Sequence, residues 1–230
     1  MDEYFRTFRL VEVQQTFYEP PQIQTVRRWR AAAPADFEFT LKAWQLITHP
    51  PQSPTYRRLR TPLSTEQLRG CGGFQSSEIV QTAWARTRAV AEALGARRVL
   101  FQCPARFTPA PDHVRSLREF FRTIDRGGLD LVWEPRGDWP ASLVRELCEE
   151  LGLTHAVDPF RQAPVWGEIP YYRLHGLTGY RHRFTDEELE ELRARVGRGP
   201  AYVLFNNVSM REDALRFLAR VPGDATGERS

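Results

Sequence analysis

The sequence predicts an α/β protein of the (β/α)-barrel type. Three observations carry this: apolar runs of strand length alternate with helical patterns, most runs end in an ionisable or amide side chain, and the length of 230 residues is one that such barrels reach around a single core. Hydrophobic residues make up 41% and charged residues 27%, so the chain has enough apolar content to fold and is not disordered by composition. The reading is one barrel domain over residues 1–221 and a frayed polar tail over residues 222–230.

Seven runs read as strands: Leu10 to Thr16, Phe37 to Lys42, Val99 to Gln102, Leu129 to Glu134, Thr154 to Asp158, Tyr171 to His175 and Ala201 to Asn206. Helical patterns fall at Gln22 to Ala32, Glu78 to Leu94, Asp112 to Asp125, Ala141 to Leu151, Asp186 to Val196 and Arg211 to Arg220. Thr185 ahead of an acidic first turn reads as an N-cap, and Gly95 after Leu94 reads as a helix stop. The segment from Ala43 to Ser77 breaks the rhythm with four prolines and three glycines. A connection this long is usually functional, and a lid over the strand ends is expected.

Active sites of (β/α) barrels sit at the C-terminal ends of the strands. Those exits carry Glu12, Gln14, Lys42, Gln102, Glu134, Arg136, Asp158, Arg173, His175, Asn206 and Asn207, with Trp44 just beyond Lys42. Turns favour polar residues in any fold. That explains one or two exits, but not charges set in Glu-Pro-Arg, Asp-Pro and Arg-Leu-His, where proline stiffens the exit and alternate residues share a face. The expectation is one shared pocket. His49, His113, His155 and His182 have no such setting and are assigned no chemistry, and Trp29, Trp84, Trp133 and Trp139 are assigned to packing.

No apolar run approaches the length of a membrane span, and the N-terminus lacks a signal-peptide layout, so a cytoplasmic location with no membrane partner is expected. Cys71, Cys103 and Cys148 are widely spaced and read as reduced thiols. A net charge of +3 permits contact with anions, nucleic acid included, without demanding it. Of 32 basic residues only Lys42 is lysine. A compact ammonium that survives where arginine fills every other basic position points to chemistry a guanidinium cannot perform.

The stretches Val11-Glu12-Val13-Gln14-Gln15-Thr16-Phe17-Tyr18, Phe39-Thr40-Leu41-Lys42-Ala43-Trp44-Gln45-Leu46-Ile47-Thr48-His49, Trp133-Glu134-Pro135-Arg136, Asp158-Pro159, Tyr172-Arg173-Leu174-His175-Gly176 and Phe205-Asn206-Asn207 resemble the signatures of the domain of unknown function 72 (YecE-like) family. The resemblance spans nearly the whole chain. It implies a TIM-type barrel with a polar site at the strand ends, and it names no reaction. Family members begin with a strand ending in a glycine-containing turn, so the expectation is seven readable strands with the family's first strand missing.

From these residues the expected function is acid–base catalysis, hydrolase-like, on a small anionic or phosphorylated ligand, with no metal and no cofactor. Glu134, Lys42, Asp158 and Glu12 are the catalytic candidates. Arg136, Arg173, His175, Asn206, Gln102, Gln14 and Trp44 are the substrate-binding candidates. Two alternatives stand beside it. One is nucleic-acid binding through an arginine-rich surface, and the other a divalent-metal hydrolase using Glu12, Glu134, Asp158 and His175.

Overall fold

In the computed structural model, which describes residues 2–221, seven parallel strands alternate with helices. They are β1 (Leu10–Val13), β2 (Glu38–Lys42), β3 (Arg98–Gln102), β4 (Asp130–Glu134), β5 (Leu153–Val157), β6 (Tyr171–Leu174) and β7 (Tyr202–Phe205), paired in that order. The main helices are α1 (Asp2–Thr7), α2 (Gln15–Tyr18), α3 (Ile23–Ala32), α4 (Gln45–Thr48), α5 (Thr65–Arg69), α6 (Glu78–Leu94), α7 (Pro111–Thr123), α8 (Ala141–Leu151), α9 (Asp186–Val196) and α10 (Met210–Leu218). The tail expected to fray lies outside the described residues. None of the described helices is long and apolar enough to cross a membrane.

Local signals set the helix ends. Thr185 and Glu188 form a reciprocal capping box at the start of α9, and Gly95 ends α6 in the left-handed region at φ 66°. The first strand is three residues shorter than the sequence implies, and other runs lose one or two at their ends. The first run was read to Thr16, yet β1 stops at Val13 and the chain turns into α2, because the Thr16 hydroxyl reaches across to donate to Lys42 O at 2.7 Å.

The described residues divide into two compact units. The first runs to His155 and takes in Val165–Gly167; the second holds Ala156–Pro164 and the chain from Glu168 onward. In the first unit, Phe39, Leu41, Val99, Phe101, Leu131, Trp133 and Leu153 pack with the helices in one core. Strand side chains alternate in direction, so Glu12, Thr40, Lys42, Leu100, Gln102, Val132 and Glu134 occupy the opposite face. In the second unit Leu174, Phe184, Leu189, Leu192 and Phe217 form the helix-side core, which leaves Tyr171, Arg173, Tyr202 and Leu204 on the other face. All three cysteines are buried and free.

The segment after β2 is packed from its start rather than standing away as a lid. Leu46 and Ile47 are fully buried, and the carbonyls of Leu46, Ile47 and Thr48 accept from the N–H groups of Gly72, Phe74 and Gly73. Gly72 sits at φ 83°, where a Cβ would lie 2.5 Å from the His49 carbonyl; only glycine lets the returning chain lie this close.

Candidate functional site

Lys42 ends β2 on the face away from the helices, 6% exposed. Its ammonium donates to Gln102 Oε1 at 2.6 Å and stands over the Phe17 ring, 4.0 Å from the centroid. An electron-rich ring face and an amide oxygen are both favourable contacts for an ammonium. The register explains the meeting, since Lys42 pairs with Leu100, placing Gln102 one same-face step further along β3.

Gln102 in turn pairs in register with Glu134 at the end of β4. Glu134 is 3% exposed, and Arg136, two residues on past Pro135, returns to it at 2.7 Å. On β1, Glu12 accepts from the Gln14 amide. Six of the sequence candidates therefore share one face of the first unit as three linked pairs. Trp44 is not among them: it lies in the helix-side core with its indole N–H on Tyr18 O at 3.2 Å.

The other four candidates lie in the second unit. Arg173 is fully buried on β6. Asp158 holds backbone, accepting from Phe160 N at 3.1 Å and from His175 N at 3.2 Å. The Asn206 amide lies 3.3 Å from His175 Nδ1. Asn207 serves structure instead. Fully buried, it donates to His182 O and to Asp213, which also accepts from Arg216.

Two residues near Lys42 were not legible in the sequence. Phe17 supplies the ring beneath the amine, and the His49 ring meets Phe17 edge-on at 4.9 Å. Burial and then the Lys42 charge push the His49 imidazole down to about 3, so it is neutral at ordinary pH. Only the Thr48-His49-Pro50 turn signal could have flagged it. The remaining unassigned histidines are structural: His113 stacks on Phe107, and His182 meets Glu188 at the start of α9. His155 is buried on the helix side, accepting from Val165 N, its pKa lowered to about 4 by burial against the opposing effect of Glu134.

Elsewhere several partly buried arginines are ion-paired. Arg88 meets Asp125, Arg118 meets Glu146 and Glu150, and Arg216 and Arg220 both reach Asp186. A shallow hollow of about 580 Å³ lies along α7, lined by Arg115, Arg118 and Arg122 among others, and holds none of the strand-end side chains. Among the described residues no group of three or more His, Cys, Asp or Glu is placed to hold a metal ion.

The family model described as "Protein of unknown function DUF72" matches residues 1–226. The chain belongs to the DUF72 family. A DUF72 family protein from Enterococcus faecalis has a crystal structure similar to this chain, with a TM-score of 0.72 at 18% identity over 99% of this chain and 91% of that one. A DUF72 family protein from Thermotoga maritima gives 0.61 at 21% identity over 93% and 84%. A xylose isomerase domain containing protein from Salmonella typhimurium gives 0.58 at 14% identity over 95% and 88%. No curated protein matches the chain. These likenesses show the fold of this DUF72 chain, the (β/α)-barrel class that its alternating strands and helices predict.

Proposed function

We propose that this DUF72 chain is an acid–base enzyme, hydrolase-like, that acts on a small anionic or phosphorylated substrate at its strand ends. The observation that carries the reading is the buried Lys42 ammonium, held by Gln102 and the Phe17 ring in register with the Glu134–Arg136 pair. A buried ammonium at a strand end is a group that an incoming anion can meet. Glu134 is the general acid or base, and Arg136 orients it; Glu12 with Gln14 positions the substrate. In the second unit Arg173 and His175 are anion-binding groups, Asn206 a hydrogen-bond donor and Asp158 an anchor for the His175 backbone.

A small phosphate monoester and inorganic phosphate, titrated into wild type and Glu134→Gln, test the proposal. Wild type binds both and turns over the ester; Glu134→Gln keeps phosphate affinity and loses turnover by about a hundredfold or more, the scale of a general acid–base group. Failure of wild type to bind either compound overturns the reading.

A further inference from the structure

The loops leaving β6 and β7 are apolar where they meet solvent. Among the described residues, Leu177 is 45% exposed, Tyr180 59%, Val208 56% and Met210 40%. Tyr180 and Val208 belong to one surface, because Val208 N–H donates to Tyr180 O at 2.8 Å. That bond joins the same two loops whose starts are joined by the His175–Asn206 contact.

The surface is built. Gly179 N–H closes on Gly176 O at 3.2 Å and His182 N–H on Gly179 O at 2.9 Å, so Tyr180 stands on a tied turn. Asn207 anchors the second loop by donating to His182 O and Asp213. Large apolar side chains held in water on tied loops are a recognition feature more often than a packing one. Here they sit beside a polar pair at the strand ends, and Arg181, exposed on the same loop, adds positive charge. A surface polar and cationic at one edge and apolar at the other fits a ligand of matching polarity.

We infer that the ligand taken at the ends of β6 and β7 is a phosphate ester bearing a planar ring, its anionic end at His175 and Asn206 and its ring on Tyr180 and Val208. This rests on the reading that the strand ends take an anionic ligand. A plain sugar phosphate has no group to cover these side chains, whereas a nucleobase or aryl ring stacks on tyrosine and excludes water from the valine.

Adenosine monophosphate, ribose phosphate and inorganic phosphate, titrated into the full chain and into Tyr180→Ala and Val208→Ser, test this. Both side chains are exposed, so the variants keep the fold. Adenosine monophosphate binds wild type at least about tenfold tighter than ribose phosphate, the scale of one stacked base. Both substitutions remove most of that advantage and leave the affinity for ribose phosphate unchanged. Equal binding of the two esters, or an advantage that survives both substitutions, overturns the ring surface while the anionic reading stands. Failure of all three compounds to bind wild type at millimolar concentration overturns the anionic reading, and the inference with it.

Discussion

In the first unit each polar strand-end group is matched by another side chain: Lys42 by Gln102, Glu134 by Arg136, Glu12 by Gln14. In the second, Asp158 accepts from two backbone N–H groups and His175 is met by Asn206, beside loops whose apolar side chains face water. Side-chain pairs hold charge in place yet allow either partner to change its bonding, which suits a reacting group. Backbone anchoring fixes geometry without adding charge, which suits a receptor.

Disrupting the second unit's turn gives the largest stability effect. Gly176 sits at φ 83°, and a Cβ there would meet Gly179 O at 2.4 Å and His182 Cβ at 2.6 Å. Gly176→Ala is expected to destabilise by about 3 kcal/mol, combining left-handed strain with the clash. Urea unfolding reads it, and a loss below about 1 kcal/mol would show the turn to be soft.

The two adjacent asparagines sharpen the contrast between structure and recognition. Asn207→Ala leaves buried Asp213 and the His182 carbonyl short of a donor, an expected loss of about 2 kcal/mol. Asn206→Ala costs well under half of that, yet releases His175 Nδ1, so nitrogen NMR of the imidazole should show a changed tautomer mixture. Equal stability losses with an unchanged tautomer would erase the distinction.

Acid sensitivity belongs to the first unit, which holds His49 and His155. Unfolded histidine takes a proton near its ordinary 6.5, whereas the native rings stay neutral until about 3 for His49 and about 4 for His155. Between these values the unfolded chain binds more protons, so stability falls as pH drops below 6.5, by up to about 1.4 kcal/mol per pH unit for each histidine. Above that range neither contributes a pH dependence. His155→Leu should flatten its share of the slope, and an unchanged acid limb would place the sensitivity elsewhere.

The strands and their polar exits were legible because alternation alone assigns faces: Glu12, Lys42, Gln102 and Glu134 fall on one side once Leu41, Phe101 and Trp133 are placed on the other. Phe17 and His49 were not, since neither lies on a periodic element. Phe17 lies just past the run that ends at Thr16, where the chain turns as Thr16 bonds to Lys42 O, and His49 is placed by a segment whose course depends on distant bonds such as Gly72 N to Leu46 O. Trp44 illustrates the converse error of proximity. Two residues beyond Lys42 in sequence, it follows the chain off the strand and into the helix-side core.

The central claim is that Lys42 is retained as lysine for what its ammonium does, and titration of inorganic phosphate into Lys42→Arg and Lys42→Ala tests it most directly. A guanidinium is too broad to sit both on the Phe17 ring and against Gln102 Oε1 as the compact amine does. Both variants are therefore expected to lose affinity by about tenfold or more with thermal midpoints near that of wild type. Phosphate binding by Lys42→Arg equal to that of wild type would contradict the claim.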